Sequence, residues 1–312
     1  MKRRDFLSLT TLAAGAATLT PLTGVAQTAT RPTPIEPVWL PFVKDVKTTY
    51  IGFGTVTLRT GPDRSILNPK SVELLRYAYD LGIRLFDLAD SYEIHDVFAE
   101  AMKGKPRDSY TVVSKLRLPP LNIPVSERVC AEESVKRFLR ECNTDYIDVL
   151  QLHCITNNRW TQDFEREMDS FAKMKREGLI RAHGISSHSN AATDLAAETE
   201  WCEVVTICIN TTGQWMDGPN GYERQPSDPA VVPEMVRETL RVTKKAYDAG
   251  KTLIAMKVLG HGEGRMANEP ELRKKSTKFV MDLEQFHSII IGFTEIAHID
   301  EFVANVNAIK GS

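Results

Sequence analysis

The chain has 312 residues, 42% hydrophobic and 26% charged, with 18 glycines and 16 prolines, a balance that excludes a disordered or collagen-like chain. Lys plus Arg is 39 against 41 for Asp plus Glu, a formal net charge of -2, so no global basic field steers the protein to nucleic acid or to an anionic membrane. The five cysteines, Cys130, Cys142, Cys154, Cys202 and Cys208, are odd in number and form no C-x-x-C pair, which argues against a disulfide framework or a cysteine-built metal site and leaves a small-molecule partner as the starting expectation.

At the amino end, MKRRDFLSL is followed by a nearly uncharged stretch from Leu9 to Val25 that finishes on the small residues Gly24, Val25 and Ala26. A basic region, a short apolar region and a small-residue end make a secretory signal, and the pair Arg3-Arg4 resembles a twin-arginine (Tat) export signal. Thr, Gly and Pro21 break the apolar stretch, which falls short of the ~20 apolar residues that span a bilayer. Cleavage after Ala26 leaves 286 residues with 36 basic and 40 acidic side chains. Residues 1–26 are thus expected as the signal, 27–45 as an extended leader and 46–312 as the folded domain. The expected location is periplasmic or otherwise extracytoplasmic, with the Tat machinery as a partner and no membrane span after cleavage.

Beyond the leader, apolar runs of strand length alternate with segments of helical periodicity. Strands are expected over 50–56, 85–88, 110–114, 147–152, 182–185, 204–209, 252–256 and 288–291, and helices over 71–81, 94–102, 126–142, 161–177, 190–199, 233–249, 269–281 and 297–308. Gly82 and Gly250 close the first and sixth helices, while Ser126 and Glu127 open the third. Eight strand-helix pairs in this length leave no room for a second domain and predict an α/β fold, a single (β/α)8 TIM barrel. One long irregular stretch, 211–231, follows the sixth strand and carries Trp215 and Tyr222. In a barrel it overhangs the C-terminal face, where active sites sit.

Polar residues just past the strand ends should therefore share a site. Asp87 and Tyr92, Lys115, and His153 come from three successive units of this kind. Here the residues resemble a family: Gly82-Ile-Arg-Leu-Phe-Asp87-Leu-Ala-Asp-Ser-Tyr92 is similar to the aldo/keto reductase signature. Val112-Val-Ser-Lys115, Tyr146-Ile-Asp-Val-Leu-Gln-Leu-His153 and Lys175-Arg-Glu-Gly-Leu-Ile-Arg-Ala-His-Gly184-Ile-Ser-Ser187 follow in the family's order. The resemblance runs from about residue 50 to residue 305 and implies a catalytic tetrad of Asp87, Tyr92, Lys115 and His153 with a nicotinamide cofactor, normally NADP(H). The substrate it implies is a small carbonyl or alcohol. The chemistry agrees, because no protein side chain supplies hydride. Tyrosine is a weak acid with a reference pKa near 10, and a neighbouring cation such as Lys115 favours its ionised form.

The expected cofactor contacts are Gly54 and Thr55, Ser186 and Ser187, Met256, Lys257, Leu259 and Gly260, and Gly292, Phe293 and Thr294. Several depart from the family pattern. Ser186-Ser187 stands where Ser-Asn is usual, Thr206 falls where a Gln is usual, and Met256 falls where an aromatic usually stacks on the nicotinamide. The eighth unit has His298 and Glu295 in place of the usual cations, which leaves NAD(H) open beside NADP(H). Trp215 and Tyr222, with Trp160, are candidates to line the substrate mouth. Two other classes stay in view. One is a non-catalytic nucleotide-binding barrel serving as an accessory subunit. The other, a metal-dependent hydrolase, is disfavoured because His153, His183 and His188 lack H-x-H or H-E-x-x-H spacing, so no metal is expected.

Overall fold

The computed structural model describes residues 32–35, 40–43, 46–61, 65–218, 221, 222, 224, 226, 228–262 and 265–310. The expected signal segment, 1–26, lies outside the described residues. Eight parallel strands close into a barrel: β1 Ile51–Gly54, β2 Leu85–Asp87, β3 Thr111–Leu116, β4 Ile147–Ile155, β5 Ile180–Ser187, β6 Val204–Cys208, β7 Thr252–Met256 and β8 Ser288–Ile291. Neighbours follow chain order around the ring, and β8 pairs with β1 through Ile291 and Phe53. The helices are α1 Ser71–Asp80, α2 His95–Met102, α3 Ala131–Glu141, α4 Glu165–Arg176, α5 Asn190–Glu198, α6 Val232–Asp248, α7 Pro270–Met281 and α8 Ile296–Lys310. The expected TIM barrel is therefore the fold.

Each outer helix buries one stripe against the barrel. In α3 the buried residues are Ala131, Ser134, Val135 and Phe138, and in α6 they are Met235, Thr239, Val242, Thr243 and Ala246, the spacing of one helical face. That stripe also explains a boundary the sequence misplaces. Ser126 and Glu127 do not open the third helix; they form a separate 3-10 turn, Val125–Glu127, and α3 begins at Ala131. One turn before Ala131 the core-facing positions would be Glu127 and Arg128, and Val129 is 72% exposed, so a longer helix would press charges onto the core. The first strand likewise stops at Gly54, and Thr55–Leu58 is a 3-10 turn.

Within the segment expected as a leader, Leu40–Val43 pairs antiparallel with Val46–Thr48. This ribbon lies across the N-terminal end of the barrel, where the Thr252 hydroxyl donates to the Phe42 carbonyl and the Thr111 hydroxyl to that of Lys47. Phe42 and Val46 are buried there. Ile35 is also buried, its N–H bonded to the Leu81 carbonyl at 2.8 Å. No helix among the described residues is long and apolar enough to cross a membrane.

Close backbone approach fixes one glycine. At Gly184, in β5, a Cβ would lie 1.8 Å from the Val204 carbonyl oxygen of β6, so no larger residue fits without parting the two strands. Gly184→Ala is expected to destabilise the fold by about 3 kcal/mol, read as a lower midpoint in urea; an unchanged midpoint would contradict the packing described.

Candidate active site

Three consecutive strands, β2 to β4, deliver the expected tetrad. Asp87 is the last residue of β2, in register with Gly54 of β1 and Val113 of β3. Beyond it the chain turns through a short 3-10 segment, Asp90–Tyr92, which ends in Glu93 in the left-handed region at φ 49°. Lys115 lies near the end of β3 in register with Gln151, and His153 lies near the end of β4. The expected tetrad is brought together by this geometry. The Lys115 ammonium is 1% exposed and contacts both the Asp87 carboxylate and, at 2.9 Å, the Leu88 carbonyl. Its Nζ lies 5.3 Å from the centre of the Tyr92 ring, and the rings of Tyr92 and His153 meet edge to face at 5.5 Å and 80°. The Ser91 hydroxyl is 3.4 Å from His153 Nδ1, and Thr55 Oγ1 donates to the Asp87 carbonyl at 2.8 Å. Burial raises the Asp87 carboxyl above its ordinary value, and the ammonium beside it opposes that rise.

Two cavities open beside this cluster. The larger, about 480 Å³, runs from Asp87 and Tyr92 past Met256 and Gly292 to His298, in the first turn of α8, and Asn305 farther along that helix. Of the expected cofactor contacts, Gly54, Met256, Lys257, Leu259, Gly292, Phe293 and Thr294 line it. Gly292 is packed so closely that a Cβ would sit 2.5 Å from Thr57 Cγ2. The smaller cavity, about 390 Å³, lies on the other side and is walled by His153, Ser91, Arg117 and the buried Trp160 among others. Tyr92 borders the first and His153 the second, so their edge contact stands between the two.

The remaining expected contacts lie elsewhere. Thr55, Ser186, Ser187 and Gly260 are not among the described residues lining the large cavity. Thr55 is spent on the Asp87 carbonyl. Ser187 is fully buried in a local network, donating to the Ser189 carbonyl and accepting from the Thr193 hydroxyl at 3.0 Å. Ser186 is buried at the same strand end. Thr206 points its hydroxyl at Gln151 Oε1, 3.0 Å away inside the barrel. Gly260, at φ 54°, leaves space for Gln214, whose Oε1 would lie 2.7 Å from a Cβ.

Trp215 and Tyr222, expected at the substrate mouth, gather round Lys257, which lines the large cavity. Lys257 Nζ is 4.2 Å from the Trp215 ring centre and 2.9 Å from the Tyr222 hydroxyl, contacts that favour a cation. Behind Tyr222, Cys208 Sγ and His188 Nδ1 are 3.4 Å apart. Burial, then Lys257 and Lys115, pushes His188 down to about 3, and burial pushes Cys208 up to about 12. Both are neutral at pH 7, so this pair is not an activated thiolate.

Two arginines line the cavities without being among the expected contacts. Arg273, in α7, reaches the far end of the large cavity and forms a bidentate pair with Glu301 of α8 at 2.8 and 2.9 Å. No strand-end rule points to a residue in the first turn of a helix. Arg117 does carry a signal, lying two residues beyond Lys115 and therefore on the same side of β3 if the alternation continues.

Removing one member of the buried pair leaves the other uncompensated. Lys115→Met is expected to lower the unfolding free energy by about 3 to 5 kcal/mol, and adding Asp87→Asn to that variant should restore part of the loss. Equal denaturation midpoints for wild type and Lys115→Met would contradict the pairing.

Comparison with known proteins agrees with the geometry. The chain is 30% identical to L-galactose dehydrogenase of Arabidopsis thaliana over 151 residues, 45% of each chain. It spans about half the length of the curated relatives it matches. The solved structure of PA4992 from Pseudomonas aeruginosa superposes with a TM-score of 0.68 at 21% identity, covering 89% of this chain and 98% of that one. The aldo/keto reductase of Klebsiella pneumoniae, solved in complex with NADP and acetate, superposes with a TM-score of 0.60 at 18% identity, covering 88% and 90%. The family model for aldo/keto reductases matches residues 50–310, nearly the whole described barrel, and the chain belongs to the aldo/keto reductase family.

Proposed function

We propose that the protein is a nicotinamide-dependent oxidoreductase that interconverts a carbonyl compound and an alcohol, with NADP(H) as its cofactor and NAD(H) as the alternative form. The observation that carries this reading is the Tyr92–His153 contact between two cavities, with the buried Lys115–Asp87 pair behind Tyr92. The lining of the larger cavity suits a dinucleotide: an apolar stretch formed by Met256, Phe293 and the glycine backbones leads to Thr294 and His298 at the start of α8, where backbone N–H groups favour phosphate, with Arg273 and Asn305 beyond. Gly54, Met256, Lys257, Gly292 and Thr294 would hold it. When bound, a reduced nicotinamide supplies the hydride that the protein's own side chains lack.

The rest falls to this chain. Tyr92 Oη gives its proton to the carbonyl oxygen as that atom becomes an alcohol, and takes the proton back in the oxidative direction. The Lys115 ammonium, held by Asp87 and the Leu88 carbonyl, stabilises the tyrosinate left behind. His153, oriented by Ser91, donates a hydrogen bond to the substrate oxygen and fixes it against Tyr92. Support for NADP(H) comes from the family resemblance and from Arg273, although Glu301 engages that guanidinium. The similarity to L-galactose dehydrogenase makes a sugar one reasonable substrate to assay.

We propose further that residues 1–26 form a cleaved twin-arginine signal, so that the protein works outside the cytoplasm with a cofactor acquired before export.

Tyr92→Phe is expected to cut turnover of an aldehyde by at least ~100-fold while NADPH and NADH still quench tryptophan fluorescence as in the wild type. An undiminished rate would remove Tyr92 as proton donor, and binding of nucleotide without any wild-type turnover would favour the accessory-subunit reading. Replacing Arg3 and Arg4 together by Lys should strand the full-length chain in the cytoplasm, seen by fractionation; unchanged export would contradict the Tat assignment.

A further inference from the structure

We propose that the smaller cavity is the substrate recess and that Arg117 is its anion anchor, so that the favoured substrates are carbonyl compounds bearing a carboxylate. The proposal rests on the reductase reading above and names the substrate class for that site.

Arg117 follows directly on β3, whose last residue is Leu116. Continued alternation carries its side chain to the side of the strand that Lys115 occupies, one pleat farther out from the barrel. It lines the cavity that His153 borders. It is exposed and makes no hydrogen bond or ion pair with the described residues, whereas Arg107, Arg137, Arg181, Arg241 and Arg273 all engage carboxylates. No Asp or Glu is among the described residues lining this cavity. A guanidinium presents a planar fork that matches a carboxylate in two parallel hydrogen bonds, and here no carboxylate among the described residues occupies the fork.

The remaining wall suits the body of a small organic acid. Leu118, Leu121, Ile155 and Phe164 make it apolar over much of its area. Asn157 adds an amide, and the indole N–H of Trp160, fully buried in the wall, finds no acceptor among the described residues. The net charge is negative, so attraction of an anion depends on this local cation and on Lys257, which lines the neighbouring cavity. Within this recess a substrate with its carbonyl at Tyr92 and His153 can place an anionic end towards Arg117.

Two matched pairs of aldehydes test the assignment, succinic semialdehyde with butanal and 4-carboxybenzaldehyde with benzaldehyde, each assayed with NADPH and with NADH. In at least one pair the acid is expected to have a kcat/KM about tenfold or more above its uncharged partner, the range of a hydrogen bond to a charged group. Arg117→Ala should raise KM for that acid about tenfold with little change in kcat and bring the ratio near one, while Arg117→Lys should keep part of the preference. Equal kcat/KM within both pairs, or a preference that persists in Arg117→Ala, would overturn the anchor and leave the reductase reading standing. If the wild type reduces none of the four with either nucleotide, the reductase reading fails and the proposal falls with it.

Discussion

An ammonium and a carboxylate, both almost out of reach of water, sit in contact at the mouth of the barrel, and the geometry of the site follows from that pair. Lys115 has no room to be solvated, so it must be matched by Asp87 and the Leu88 carbonyl. Neither can shift without moving a strand, because each is embedded in the closed ladder from β1 to β4. A loop placed on such a floor inherits its rigidity. The 3-10 turn that carries Tyr92 starts three residues after Asp87, and the Thr55 hydroxyl ties the Asp87 backbone to the first strand. Burial that is costly for the pair is thereby converted into a fixed position for a phenol beside a cation.

Around that fixed point lie two cavities. One cavity extends along the ends of β7 and β8 towards the start of α8, bounded by glycine backbone and apolar side chains; the other lies above β3 and β4 with a lone arginine in its wall. The barrel closes β8 onto β1, which is what brings residues near both ends of the chain, Gly54 and Gly292, into one wall. Beneath the barrel, the ribbon of Leu40–Val43 and Val46–Thr48 covers the opposite end, away from the chemistry.

Much of this was legible in the chain itself, for physical reasons. Parallel strands are buried on both faces and read as short apolar runs, so β7 and β8 fall where the pattern puts them, at 252–256 and 288–291. A polar or charged side chain at the end of such a run has nowhere to go but the mouth, which is how Asp87, Lys115 and His153 stand out. What the pattern could not weigh was competition among partners. Ser187 is a good hydrogen-bonding residue at a strand end, but the turn into α5 uses it first, through Ser189 and Thr193. Thr206 turns to Gln151 inside the barrel. Arg273 depends on a helix crossing that no local spacing records. Arg117 was visible by alternation from Lys115, and what sets it apart is that no carboxylate among the described residues lies beside it.

The central claim is that Tyr92, set on the Lys115–Asp87 pair, completes a carbonyl reduction whose hydride comes from a bound nicotinamide. It is tested most directly by supplying NADPH deuterated at the transferred position of C4, and NADH labelled in the same way, with the purified protein and an aldehyde, and reading the alcohol by mass spectrometry. The account predicts an alcohol that carries one deuterium on the former carbonyl carbon and none when water is the only labelled species. An alcohol without that deuterium, or a nucleotide that binds and never gives it up, would contradict it.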